Sequence, residues 1–236
     1  MVRRPHSARF MPGVWVFPGG AVDQEDADAP SSFGGNAGDS DWKVAALREL
    51  IEETGLWLTT TGTVSAPLAE DAFAAVEASA HTLDQSALIY FSNWITPEVF
   101  PIRFDTRFFL AVVSSRAEPA VDGDELIDLE WISPLEALRR EEADEWVIPF
   151  PTRKTLQLLA AEPTTAALAD RLRSLESVPS IEPRLYVGDG EAGILMPDEE
   201  GFEEAGPAQD DPTILERLSV VVSSGGRVPA EFRSES

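Results

Sequence analysis

Arg48-Glu49-Leu50-Ile51-Glu52-Glu53-Thr54-Gly55-Leu56 decides how this chain is read. Wound as a helix at about 100° per residue, it places Glu49, Glu52 and Glu53 on one face, within roughly 100° of arc. Val44, Leu47 and Ile51 fall on the opposite face and can enter a core. Three carboxylates on one short helical face repel one another, which costs stability unless something stands between them. A hard divalent cation removes that repulsion, and carboxylate oxygens are what Mg²⁺ takes as ligands. The ordinary alternative is a solvated acidic face on a surface helix. Against it, the acidic face is short and bounded. Ser40 and Asp41 are good N-caps, and Gly55 is a C-cap residue. The five fixed positions Arg-Glu-x-x-Glu-Glu-x-Gly arise by chance about 10⁻⁴ times in a chain of this length, and the acidic composition raises that only about tenfold.

At these residues the chain resembles the Nudix hydrolases. The box of that family also carries an upstream glycine turn, and Phe17-Pro18-Gly19-Gly20-Ala21-Val22-Asp23 supplies one. Here the box is split. Arg48 follows Gly20 by twenty-eight residues, twice the family's usual spacing, so an insertion separates the two halves. The acidic residue expected after the glycine is Asp26, or Glu25 with a one-residue shift. A split box behind Phe-Pro-Gly-Gly is similar to the branch that includes the peroxisomal and mitochondrial coenzyme A diphosphatases. Trp94-Ile95-Thr96-Pro97 and Arg103-Phe104-Asp105-Thr106-Arg107-Phe108-Phe109-Leu110 resemble a downstream segment of that branch. The resemblance covers about residues 9–160.

It implies an α/β fold, a Nudix-type α/β/α sandwich with a mixed sheet. It also implies Mg²⁺ (or Mn²⁺) held by Glu49, Glu52 and Glu53, and hydrolysis of a diphosphate linkage in a small nucleoside diphosphate derivative. Coenzyme A or acyl-coenzyme A, cleaved to 3′,5′-ADP and phosphopantetheine, is the leading substrate; ADP-ribose and NADH stay open. A carboxylate must take the attacking water's proton. Glu53 is the first candidate, and Glu125, at the start of an expected strand, the second. Arg48 is expected to pair with a box glutamate and orient it. Gly19 and Gly20 let backbone approach a ligand closely. Arg9, Arg103 and Arg107 are candidates for the substrate phosphates, because guanidinium suits bidentate phosphate contact; surface ion pairing is the competing role for each. Phe104 and Trp15 are candidates for stacking on a base, against a place in the core. Some Nudix-type domains bind a nucleotide without hydrolysing it, but such domains typically lose box carboxylates, and all are present here.

The chain has 236 residues, is 43% hydrophobic and carries a net charge of −24, with a pI near 4.3. Such a charge argues against nucleic acid or an anionic membrane as the main partner. It also repels a phosphate substrate, so the metal and a few arginines must reverse the field locally. No cysteine is present, which excludes disulfides, thiolate zinc sites and a cysteine nucleophile. No apolar run reaches membrane-spanning length and the start is not a signal peptide, so a cytoplasmic protein is expected.

Residues 1–176 are expected to form the catalytic domain, with 24–41 as a mobile insertion loop, and 177–236 an acidic, partly irregular extension. Val14–Phe17 is expected as a buried strand, 42–54 as the acidic helix and 57–60 as a strand leaving it. Further strands are expected at 88–95, 106–113 (continuously apolar, hence buried on both faces) and 125–131. Helices are expected at 68–80, 134–140, 152–161 and 164–175. Arg184–Val187 and Ile194–Met196 are expected to pair as a hairpin about Asp189-Gly190. The strand that precedes Val2-Arg3-Arg4 in relatives has no counterpart here, and its absence would leave an open sheet edge. Residues 218–222, or a second copy in a homodimer, would cover that edge.

Overall fold

A computed structural model of the chain describes residues 1–34, 41–97, 100, 103–113, 117–188, 191–203 and 205. The elements in order are β1 (Val2–Arg3), β2 (Trp15–Val16), α1 (Gln24–Ala27), α2 (Asp41–Thr54), β3 (Leu56–Thr59), β4 (Gly62–Ser65), α3 (Ala72–Glu77) and β5 (Leu88–Ile95). They continue with β6 (Asp105–Ala111), β7 (Asp128–Leu129), α4 (Pro134–Glu142), α5 (Phe150–Ala160), α6 (Thr165–Arg173), β8 (Ser180–Ile181), β9 (Arg184–Gly188) and β10 (Glu191–Leu195). Helices combine with antiparallel and parallel strand pairs, so the fold class is α/β, as expected. Two compact units result. One comprises Met1–Tyr90, Phe109–Ile132 and Pro163–Ser174; the other comprises Phe91–Phe108, Ser133–Glu162 and the chain from Leu175 onward.

The first unit holds the acidic helix. On α2, Val44, Leu47 and Ile51 are buried, as the periodicity predicts. They pack with Phe33, Trp57, Leu58, Ala72, Val76, Leu83 and Leu88. Side chains such as Phe33 and Ile51, both at 0% exposure, each contribute about 1.5–3 kcal/mol by burial. α2 stops at Gly55, whose N–H donates to the Ile51 carbonyl at 2.9 Å. Its φ of +66 belongs to the left-handed region that glycine enters without steric cost, and a Cβ there would run into the Ala66 carbonyl. The chain then forms the hairpin β3–β4, with Leu56 opposite Ser65 and Thr59 opposite Gly62; β4 had no sequence signal of its own.

β1 is the central strand of a three-stranded sheet, with β2 on one side and β7 on the other, both antiparallel. The Met1 ammonium donates to the Glu130 carbonyl at 2.9 Å. Val2 and Arg3 are therefore not at a sheet edge: they pair on both sides. The strand expected at 125–131 is shorter, because the Asp122 carboxylate accepts from the N–H groups of Asp124, Glu125 and Leu126 and holds that stretch in a turn. The helix expected at 68–80 is also shorter. Asp71 caps it by accepting from the Ala74 N–H at 2.9 Å, so it begins at Ala72.

The reading of 24–41 as a mobile insertion loop is corrected for its first part. Residues 24–27 are helical, and Ser31–Phe33 is a 3₁₀ turn that sends Phe33 into the core. Charge composition suggested solvent, but one buried acid and one aromatic anchor override it. Residues 35–40 lie outside the described residues.

The second unit packs α4 against α5. Ser133 caps α4 through the Glu136 N–H at 3.2 Å. β9 and β10 form the expected antiparallel hairpin, with Gly188 opposite Glu191; the turn residues Asp189 and Gly190 lie outside the described residues, as does the strand expected at 218–222. β5 runs between β6 and β8, parallel to β8. Among the described residues β6 pairs only with β5, and its apolar residues are half-buried, not buried on both faces as the continuous pattern predicts. No helix among the described residues is long and apolar enough to cross a membrane.

Candidate active site

Arg48 is the hub of the acidic helix. It is only 8% exposed, and its guanidinium is saturated with acceptors. Nε donates to Asp26 Oδ1 at 2.9 Å, and Nη2 donates to Asp26 Oδ2 at 3.1 Å and to the Ala21 carbonyl at 2.8 Å. Nη1 reaches Glu49 Oε1 at 2.8 Å and Glu52 Oε2 at 3.1 Å. Pairing with a box glutamate was expected; pairing with two, plus a bidentate clamp on Asp26, was not. The Asp26 side chain is 0% exposed and also accepts the Asp23 N–H at 2.7 Å. The acidic residue expected after the glycine turn is thus Asp26, not Glu25, and its carboxylate is spent on Arg48. The pair raises the Arg48 pKa further, chiefly through the Asp26 hydrogen bond and against the effect of burial. Glu25 and Asp28, beside Asp26 in the sequence, are exposed.

The three glutamates share the predicted face but are held differently. Glu52 accepts the Ala72 N–H at 3.2 Å with its other oxygen. Glu53 accepts the Gly19 N–H at 2.8 Å. Glu49 lies against Gly20, where a Cβ would collide with its carboxylate. The Pro18-Gly19-Gly20 turn thus does two jobs. Gly19, at φ +147, takes a conformation that side chains disfavour and aims its N–H at Glu53, while Gly20 leaves room for Glu49. Gly20→Ala is expected to displace the Glu49 carboxylate and lower metal affinity about 10-fold or more. Titration calorimetry with Mn²⁺ measures this, and unchanged affinity would remove Gly20 from the site.

Burial pushes Glu53 up to about 7, and Glu49 and Glu125 push in the same direction, against the Gly19 hydrogen bond and Arg4. Glu49 is also raised, first by burial, against the attraction of Arg48. The fold therefore brings Glu125, the second candidate base, within electrostatic reach of Glu53. It also brings in Arg4, which the sequence reading passed over because no motif marks it. Arg9 is exposed in the same unit. Arg103 belongs to the second unit and is engaged: Glu182 takes its Nη2 at 2.6 Å and the Thr96 carbonyl its Nε at 2.8 Å, the surface pairing weighed against phosphate binding. Arg107 lies on β6 in that unit. Trp15 is buried at 4% exposure, which places it in the core, while Phe104 is half exposed.

Glu49, Glu52 and Glu53 are hard oxygen donors of the type Mg²⁺ and Mn²⁺ prefer. Among the described residues, the second oxygens of Glu49 and Glu53 accept no hydrogen bond. The mutual repulsion that raises Glu53 is what a cation would relieve. By donor chemistry the face fits such an ion. The side chains are not closed around one point: no group of three or more His, Cys, Asp or Glu is gathered as a cage among the described residues.

A family model described as the NUDIX domain matches residues 1–151. The chain belongs to the Nudix family. It is similar to a putative nudix hydrolase 7 of Caenorhabditis elegans, at 34% identity over 64% of this chain and 52% of that protein. It also matches an acyl-coenzyme A diphosphatase of Xenopus laevis, at 23% identity over 64% of this chain and 56% of that protein. The chain thus spans about half the length of the curated relatives it matches. Among solved structures, a NUDIX hydrolase from Alicyclobacillus acidocaldarius aligns with a TM-score of 0.59 at 31% identity, covering 75% of this chain and 88% of that one. That likeness establishes the Nudix fold. The glycine turn and the acidic helix, far apart in the sequence, are the parts of the Nudix box that meet here at Gly19–Glu53 and Gly20–Glu49.

Proposed function

We propose that this Nudix protein hydrolyses the diphosphate linkage of a small nucleoside diphosphate derivative, with Mg²⁺ or Mn²⁺ held by Glu49, Glu52 and Glu53. Coenzyme A or acyl-coenzyme A is the substrate we favour, supported by the likeness to the Xenopus diphosphatase and by the split box; ADP-ribose and NADH are the alternatives. The observation that carries the reading is the tethered glutamate face: the Gly19 N–H anchors Glu53, and Arg48 holds Glu49 and Glu52. When bound, the divalent ion supplies positive charge that offsets the diphosphate and acidifies a water. Arg48 keeps Glu49 and Glu52 in place and stays cationic throughout. Glu53 takes the proton of the attacking water, and Glu125 is the alternative acceptor. A divalent ion and Arg4 offset the repulsion that a chain of charge −24 exerts on a phosphate ester.

The test is a panel of coenzyme A, acyl-coenzyme A, ADP-ribose and NADH, with and without Mg²⁺. Metal-dependent turnover of at least one is expected, abolished by a chelator. Turnover of coenzyme A should release 3′,5′-ADP and phosphopantetheine. Absence of turnover on every member would overturn the hydrolase reading, and binding without turnover would replace it with a nucleotide sensor.

A further inference from the structure

One exposed carboxylate organises the turn that leads into β7. Asp122 Oδ1 accepts the N–H groups of Asp124 at 2.9 Å, Glu125 at 3.0 Å and Leu126 at 3.1 Å, and Oδ2 takes a longer contact from the Glu125 N–H at 3.3 Å. Gly123, at φ +83, supplies a left-handed step that side chains disfavour. Its N–H closes the turn on the Leu126 carbonyl at 2.9 Å. Against burial, which pushes the other way, the N–H groups of Asp124, Leu126 and Glu125 hold the Asp122 carboxyl below the ordinary aspartate range. The turn therefore grips the charged form. It is also tied down at both ends. The Ala120 N–H donates to the Thr54 carbonyl at 3.0 Å, at the end of the acidic helix. Leu126 is buried, and the Ile127 N–H donates to the Arg3 carbonyl at 2.9 Å.

Both anchors adjoin the glutamate face. Thr54 follows Glu53 in the chain, and Arg4, which follows Arg3, is one of the charges that act on Glu53. Glu125, between the anchors, acts on Glu53 as well. Like charges repel, so an unrestrained Glu125 on an exposed turn would swing away from the other carboxylates into water. The Asp122 carboxylate opposes this, because it binds the N–H of Glu125 itself and of the residues on either side. We propose that Asp122 is a positioning residue: by gripping the backbone of 124–126 it keeps the Glu125 carboxylate at the glutamate face, where its charge adds to the pull on a divalent ion. The assignment rests on the metal-dependent hydrolase reading for its purpose, but its test does not require turnover.

Mn²⁺ is the probe, because it is paramagnetic and broadens nearby amide signals steeply with distance. In the full chain, Mn²⁺ is expected to broaden the amides of Asp124, Glu125 and Leu126 together with those of Gly19 and Gly20. Asp122→Ala should release the turn, so that broadening falls at 124–126 and stays at the glycines. It should also weaken Mn²⁺ binding by about 10-fold, the usual weight of a supporting group behind a metal site. Glu125→Gln should weaken binding as much, and Asp122→Ala/Glu125→Gln no further, since Asp122 acts through Glu125. Asp122→Asn keeps an acceptor oxygen for the three N–H groups and should lie close to wild type. Gly123→Ala strains the turn without touching the carboxylate and should behave like Asp122→Ala. Asp122 is exposed, so its variants should fold, and their melts are recorded alongside. Three outcomes would overturn the assignment: no broadening at 124–126 in the wild type, unchanged Mn²⁺ affinity in Glu125→Gln, or additive losses in the double variant. A failed hydrolysis panel with the non-additive cycle intact would fell the hydrolase reading and leave Asp122 in its role. Metal-dependent turnover with additive losses would do the reverse.

Discussion

Glu53→Gln is expected to lower metal-dependent turnover by about 10²–10⁴-fold, the usual contribution of a positioned general base, while making the metal-free protein more stable at neutral pH. The two effects have one cause. Glu53 sits beside Glu49 and Glu125 in a partly buried site, and burial raises its pKa to about 7. An acid raised in the folded state favours folding in its protonated form. That contribution is complete below the ordinary glutamate value near 4.5 and is lost as pH rises through about 7. In the presence of a chelator, the wild-type melting temperature should therefore fall between about pH 5 and pH 8, and the Gln variant should be flatter by a few degrees. Gln keeps a carbonyl oxygen for the Gly19 N–H, so the anchor survives. Melts across that range, paired with rates at saturating Mg²⁺, check both effects. Retained turnover would move the base to Glu125, and Glu125→Gln would then show the rate loss. A pH slope unchanged in Glu53→Gln would show that Glu53 is not the group that titrates.

Arg48→Ala is expected to cost about 3–5 kcal/mol of folding stability, because removing one partner of a buried pair strands the other charge. The stranded charge is Asp26, 0% exposed, with two hydrogen bonds to Arg48 and one to the backbone. Glu49 and Glu52 lose their tether as well, so metal binding should weaken with stability. Arg48→Met/Asp26→Asn removes both buried charges and should recover a large part of the stability. It should not recover activity, since Glu49 and Glu52 remain untethered. Urea denaturation of the two variants, with turnover measured beside it, separates the roles. A loss below about 1 kcal/mol for Arg48→Ala would mean that Asp26 reaches water and the pair is not structural.

Much of the site was legible because its parts are local. The spacing of Val44, Leu47 and Ile51 against Glu49, Glu52 and Glu53 is a property of one helix, and helical geometry alone places the two sets on opposite faces. Gly55 as a helix stop and the hairpin of β9 and β10 are local in the same sense. What depends on chain segments meeting was not legible. The spacing after the glycine turn marked Asp26 or Glu25 as the acid of the box, but not that Asp26 alone turns inward to the guanidinium 22 residues later. β6 has the composition of a central strand, yet among the described residues it pairs only with β5, which pairing order decides, not residue type.

Sequence by itself determined the acidic face, the glycine turn and the family, since each is carried by residue types at short fixed spacings. Tertiary structure alone decided that Arg48 is shared among Asp26, Glu49 and Glu52, and that Gly19 and Gly20 close on Glu53 and Glu49. It alone decided that Phe33 and Phe73 pack against each other at a tilt. The physical reason is the same in each case. Hydrogen bonds and burial act between atoms in contact, and contact across twenty or more residues is set by how the core packs, which no short window of sequence records.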